Sequence, residues 1–105
     1  MSDFDYKAID DVIHGRLRLA VMAFLMTARA ADFSELMKVT GATDGNLSAQ
    51  LKVLESHAYV QLERGYIGAR PNLRVVLTQA GQHALSAYIA KITALIQEST
   101  PDETA

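Results

Sequence analysis

The hydrophobic pattern is most informative between residues 43 and 60, TDGNLSAQLKVLESHAYV. Apolar side chains recur there at steps of four, three and four residues, so they share one stripe of an α-helix. These positions are Leu47, Leu51, Leu54 and Ala58. The opposite side carries small or polar residues such as Gly45, Ala49 and Lys52. We therefore expect a helix that is anchored in a core by leucines and presents a thin face to a broad surface.

A shorter helix is predicted just before this one. Either Ser34 caps a helix that ends at Thr40, or Asp32 starts it two residues earlier in a capping box with Glu35. Gly41 is a typical C-terminal stop, and the residue that caps the next helix is Thr43. Two helices joined by such a short turn form a helix-turn-helix.

The chain before this pair is predicted to contain one longer helix. Residues 9–28 have a helical pattern, and the run LAVMAFLM is apolar all round, which is typical of a helix buried on several sides. Residues 1–8 have no periodicity and are expected to form a flexible acidic arm. Residues 30–33 form a short break, with a stub of strand expected at Phe33.

Two strands and a long helix follow. Val60 and Leu62 alternate with polar residues, and the same alternation returns in residues 73–77, so a hairpin is predicted. The connecting segment GYIGARPN is rich in turn-forming residues. Thr78 is expected to cap a helix over residues 79–98. Its apolar stripe has partly heptad-like spacing and is predicted to form a dimer interface. The stripe consists of Leu85, Tyr88, Ile89, Ile92, Leu95 and Ile96.

This order of elements predicts a winged helix-turn-helix. The fold class is mainly α with a small β-hairpin wing, and a long C-terminal helix serves for dimerisation. We expect one domain over residues 9–98, between the arm of residues 1–8 and a disordered acidic tail of residues 99–105.

The run ADFSELMKVTGATDGNLSAQLKVLESHAYV, followed by GYIGARPNLRVVLTQAGQHAL, resembles the small winged-helix transcriptional regulators related to the MarR and ArsR groups. The resemblance covers roughly residues 10–90. It implies a cytoplasmic homodimer that binds DNA and uses its terminal helices for dimer contacts. The chain departs from the pattern at Ala58, where glycine is usual, and in a wing with few basic residues.

Composition sets further bounds. The chain has 105 residues, which is the size of one domain, and no cysteine, which removes disulfides and thiolate metal sites. Its acidic start is unlike a secretory signal, and its longest apolar run, residues 19–26, is too short for a membrane span. The net charge of −2 is unevenly distributed, because residues 12–97 carry +4 while residues 1–11 and 98–105 carry −3 each.

The candidate DNA contacts lie on the thin helix face and on the wing. With the recognition helix (residues 43–57) in the major groove, Asn46 can bond an adenine edge, Ser48 can bond several bases, and Ala49 can touch a thymine methyl group. The wing (residues 64–74) would follow the backbone, with Arg70 in the minor groove. The predicted DNA-binding set is Thr43, Asn46, Ser48, Ala49, Lys52, Arg64, Arg70 and Arg74. The alternative is a solvated helix face and a solvated hairpin.

No other chemistry stands out. The three histidines, His14, His57 and His83, lack metal-ligand spacing, so neither a metal nor another cofactor is predicted. The serines lack a nucleophile motif and no glycine-rich phosphate loop occurs, so the chain is not expected to be an enzyme. An unidentified small-molecule effector could bind between the terminal helices. The residues for such a pocket would be Tyr88, Met22, Met26 and Met37, and ordinary core or dimer packing is the alternative.

Two functions remain open at this point. The first is a homodimeric, sequence-specific DNA-binding regulator that represses by steric occlusion. The second is a winged-helix protein–protein interaction module with weak or no DNA binding. The second is favoured by the acidic ends, the depleted wing charge, and Val53 and Val76 at positions that could be exposed.

Overall fold

The computed structural model describes residues 5–99 and confirms the predicted fold class. A short 3-10 helix at Tyr6–Ala8 precedes four α-helices and three strands in this part of the chain. The elements are α1 (Arg16–Ala28), β1 (Ala30–Asp32), α2 (Phe33–Thr40), α3 (Asp44–Ser56), β2 (Val60–Ile67), β3 (Arg70–Leu77) and α4 (Gln79–Ser99). Most of the predicted acidic tail lies outside the described residues.

The first helix begins at Arg16, so the prediction of a helix from residue 9 was wrong. The Asp10 carboxylate accepts hydrogen bonds from the backbone N–H groups of Val12 (2.8 Å) and Ile13 (3.2 Å) and forms a local turn instead. Gly15 then occupies the N-cap with an extended backbone. Ile13 is nevertheless fully buried. The apolar residues of this segment therefore belong to a packed turn, although their spacing resembles that of a helix.

The helix-turn-helix forms as predicted, with one local difference. α2 begins at the earlier of the two expected positions, but no capping box forms, because the Asp32 side chain caps no backbone group and accepts a hydrogen bond from Asn72 Nδ2 (3.2 Å). Gly41 ends α2 in the left-handed conformation (φ 71°). The Thr43 hydroxyl accepts the N–H of Asn46 (3.2 Å) and caps α3.

The three strands form one antiparallel sheet in the order β1-β3-β2. β1 covers Ala30–Asp32, just before the stub expected at Phe33. The paired residues Leu62 and Val75 face the core. Strand pairing continues to Ile67 and Arg70, so most of the segment predicted as a turn is strand, and only residues 68–69 form the turn. Gly68 supplies the positive φ (62°) that so tight a turn needs.

The core takes side chains from all four helices and all three strands. The leucine stripe of α3 is buried, as predicted, but Ala58 lies beyond the end of the helix and is exposed. Ala58 has a φ of 61°, which is the left-handed conformation that glycine would adopt more easily. In α4, Leu85 and Tyr88 belong to the core. No residue from position 89 to 97 is buried.

Candidate nucleic-acid interface

The outer face of α3 is exposed and small. Gly45, Ala49 and Lys52 are all exposed along it, while the leucines of the opposite stripe are at most 1% accessible. Apart from the neighbouring residues and the backbone of α3 itself, no heavy atom of residues 5–99 lies within 4 Å of the place where a Cβ on Gly45 would stand. Because this face has little bulk, a broad partner can approach the helix backbone closely.

A groove of about 590 Å³ separates α3 from the inner side of the wing. Ser48 lines it from the helix, and Arg64 and Arg70 line it from the hairpin. The Ser48 hydroxyl is 3.4 Å from an Asp44 carboxylate oxygen, to which it donates a hydrogen bond. Tyr66, which is 76% exposed, gives the groove an aromatic wall. Three of the predicted DNA contacts thus meet in one groove.

A second cleft, of about 540 Å³, lies on the other side of α3. It is lined by Asn46 and Gln50 of α3 and by Arg16 at the start of α1. Asn46 and Ser48 were both predicted to contact bases, and they line different clefts on the two sides of the helix. The thin face of α3 therefore lies between two clefts, and each cleft contains arginine.

The three wing arginines do not share a face. Arg64 is paired with Leu73 on the side of the sheet that faces the core, two residues along from the buried Leu62–Val75 pair. Arg74 is paired with Glu63 on the other side, where its Nε lies 3.8 Å from a Glu63 carboxylate oxygen. Arg70 pairs with Ile67 at the hairpin tip, on the same side as Arg74 but at the far end of the strand. Arg70 and Arg64 are thus more available to an anion than Arg74.

Sequence reasoning missed several residues of these clefts. One helix was predicted over residues 9–28, which placed Arg16 in the middle of that helix. In the structure Arg16 is the first residue of α1 and lies beside α3. The contact of Gln50 with Asn46 could have been predicted, because residues four positions apart are neighbours on a helix. In the structure the Gln50 side chain reaches that of Asn46. Tyr66 and Ile67 were assigned to a turn, yet they are exposed strand residues near the wing tip.

The residues considered for an effector pocket lie in or against the protomer core. Met22 is fully buried, and Tyr88 is 9% accessible with its hydroxyl 2.9 Å from His14 Nδ1. Met26 and Met37 pack against the same core. Their positions match the ordinary packing alternative. Val53 and Val76 are half-buried, which weakens one argument for a protein–protein module.

A family model for the winged helix DNA-binding domain matches residues 17–96, which is most of the chain. The chain belongs to this family. The expectation that it is not an enzyme is confirmed, since the family is one of non-enzymatic DNA-binding domains. Within residues 5–99, no helix has the length and apolarity required to cross a lipid bilayer.

Solved structures share the fold of this winged helix DNA-binding domain. The structure of a transcriptional regulator homologue from Pyrococcus horikoshii OT3 superposes with a TM-score of 0.76 at 31% identity, over 82% of this chain and 85% of that one. A putative MarR-family regulator from Porphyromonas gingivalis W83 has a TM-score of 0.63 at 21% identity, over 85% of each chain. Overoxidized AbfR bound to DNA has a TM-score of 0.63 at 24% identity, over 82% of this chain and 60% of that one. The predicted resemblance to MarR-like regulators is confirmed.

Proposed function

We propose that this protein is a sequence-specific transcriptional regulator that binds DNA as a homodimer and represses by occluding the promoter. The observation that carries the proposal is the thin, exposed face of α3 between two arginine-lined clefts. A neighbouring fold that was solved bound to DNA supports the same reading. A regulator must be in the same compartment as its DNA. For the MarR-like and ArsR-like regulators that the chain resembles, this is the cytoplasm.

The dimensions of DNA fit this arrangement. The major groove is about 12 Å wide and admits an α-helix, with one phosphate backbone on either side. With α3 in the groove, Ala49 can contact a base edge directly and Lys52 can contact a phosphate. Arg64 is suited to one backbone, Arg70 to the same backbone and the minor groove beside it, and Arg16 to the other backbone. Thr43 contributes mainly as the helix cap that positions Asn46.

The dimer is proposed to form through the second half of α4. Ile89 and Ile96 are 52% and 61% exposed, although they continue the stripe that begins with the buried Leu85. Leu85 and Tyr88 serve the protomer core, so Ile92 and Leu95 are the other members of the stripe that a second copy could cover. Two copies related by a two-fold axis would present their α3 helices to half-sites about 34–36 Å apart.

Selection from a random duplex library at several salt concentrations tests DNA recognition. We expect enrichment of a near-palindrome, with affinity that falls steeply as salt rises. Selection without enrichment, together with binding that is insensitive to sequence at low salt, would contradict a sequence-specific regulator. It would favour the protein–protein module instead.

Light scattering of charged α4 variants tests the dimer. Ile89→Glu places a charge in the exposed stripe and is expected to give folded monomers. Ala90→Glu is the matched control, because Ala90 is exposed on the far side of the same helix. A dimer mass that survives Ile89→Glu and Ile92→Glu would move the interface away from α4.

A further inference from the structure

Three polar side chains form a hydrogen-bonded series that ends at Asn46, beside the thin face of α3. Arg18 Nη1 donates to Gln50 Oε1 (2.5 Å), and Gln50 Nε2 donates to Asn46 Oδ1 (3.2 Å). Arg18 is itself held in place, because its Nε donates to the carbonyl of Val12 (2.5 Å) and its Nη2 to the carbonyl of Asp11 (3.2 Å). The packed turn before α1 is thereby connected to a side chain of α3.

The chemistry of arginine sets which group donates and which accepts in this series of hydrogen bonds. An amide side chain can present either its oxygen or its nitrogen, but a guanidinium can only donate hydrogen bonds. Gln50 must therefore turn its oxygen toward Arg18, which leaves its nitrogen for Asn46. Asn46 must in turn give its oxygen to Gln50. The Nδ2 group of Asn46, with two N–H donors, is then left to face outward.

We infer that Arg18 and Gln50 fix the polarity of the Asn46 amide and so exclude cytosine from the bases that Asn46 favours. The inference rests on the proposed position of α3 in the major groove. An amide that faces the groove with its N–H donors fits the acceptors of guanine (N7 and O6), adenine (N7) or thymine (O4). Cytosine presents its N4 donor there and is disfavoured. Arg18 and Gln50 are positioning residues, and Asn46 is the contact.

Gln50→Glu tests the inference because it reverses the amide. A carboxylate only accepts hydrogen bonds, so it can bond Arg18 with one oxygen and Asn46 Nδ2 with the other. Asn46 would then face the groove with Oδ1. In library selection, we expect the cytosine-to-guanine ratio at one base pair of each half-site to rise about tenfold. Gln61→Glu, at an exposed position of β2, controls for the added charge.

A double variant separates the relay, meaning the action of Arg18 and Gln50 through Asn46, from a direct contact of residue 50 with the base. In an Asn46→Ala background, Gln50→Glu is expected to leave that base pair unaffected. A shift that persists without Asn46 would mean that the introduced carboxylate reads the base itself, which overturns the relay. An unchanged preference in Gln50→Glu, when Asn46→Ala relaxes it, overturns the relay and leaves the proposed function standing.

The polarity of the amide can also be measured without DNA. In the free protein, the Asn46 side-chain amide protons should exchange rapidly with water, because no acceptor within residues 5–99 holds them. In Gln50→Glu they should become protected, as measured by side-chain amide NMR. Equal exchange in the two proteins would overturn the relay. If instead Asn46→Ala changes no base preference while the exchange result holds, the groove position of Asn46 is wrong and the relay itself stands.

Discussion

Tyr59 donates a 2.6 Å hydrogen bond from its hydroxyl to Oδ2 of Asp10, a residue 49 positions earlier in the chain. The other oxygen of the same carboxylate accepts the backbone N–H of Val12. One side chain therefore forms the turn before α1 and also fastens it to the segment that follows α3. This turn carries the carbonyl groups that hold Arg18, so the contact supports the recognition helix indirectly.

The Tyr59 phenol is expected to make stability fall at alkaline pH. The hydrogen bond to Asp10, then burial, then the charge of Asp10 raise the pKa of Tyr59 from 10.0 to about 12. An unfolded chain releases this proton near pH 10, whereas the folded chain keeps it until near pH 12. The stabilisation is therefore fully present below pH 10 and is lost as the pH rises to 12.

Tyr59→Phe isolates this contribution in urea denaturation. At pH 8 we expect the variant to be less stable by about 2 kcal/mol, since it loses a hydrogen bond to a charged group. The difference from the wild type should shrink between pH 10 and pH 12. Tyr66→Phe, which alters a side chain that is 76% exposed, should change little at any pH. A gap that stays constant up to pH 12 would contradict the assignment.

Ala58→Gly is expected to stabilise the protein. Ala58 has a φ of 61°, and a side chain in the left-handed conformation costs about 1 kcal/mol. Glycine removes this strain, although it also gives the unfolded chain more freedom, so a gain of up to about 1 kcal/mol is expected in denaturant unfolding. Ala49→Gly, in the interior of α3, should lower stability by about 1 kcal/mol. Equal losses in both variants would mean that Ala58 is unstrained.

Gly81→Ala and Gly45→Ala should affect different properties. A Cβ on Gly81 would collide with the carbonyl oxygen of Tyr59 and lie 3.0 Å from Leu77 Cδ1, so a loss of about 2 kcal/mol is expected. A Cβ on Gly45 meets nothing within 4 Å and should preserve or improve stability. The added methyl group would nevertheless thicken the thin face of α3 and weaken DNA binding. Tight binding by a stable Gly45→Ala protein would contradict close approach at this position.

The sequence predicted those features that depend on neighbouring residues. The leucine stripe of α3 is a pattern within one helix. The Thr43 and Thr78 hydroxyls cap their helices by accepting N–H groups three residues further along, at 3.2 Å and 2.9 Å. The start of α1 was missed because the Asp10 turn has a partner in Tyr59, far along the chain. The pairing of Arg74 with Glu63 was missed because it depends on the register of β2 on β3, which the predicted long turn left open.

The wing provides the last prediction, which concerns the salt dependence of DNA binding. Each phosphate contact adds about 0.9 to the slope of log K against log salt. Arg70→Ala should therefore lower the slope by about this amount and weaken binding to most sequences. Arg74→Ala should do less, since the Glu63 carboxylate lies 3.8 Å from its Nε and competes with phosphate.

Glu63→Gln provides the decisive comparison for Arg74. It removes the competing charge, so both affinity and salt slope should rise. In a Glu63→Gln background, Arg74→Ala should then cost as much as Arg70→Ala does in the wild type. If Arg74→Ala already has this full effect with Glu63 present, then the Arg74–Glu63 ion pair breaks on DNA binding without loss of affinity. Arg70 and Arg74 would then act as equals although Glu63 lies close to Arg74.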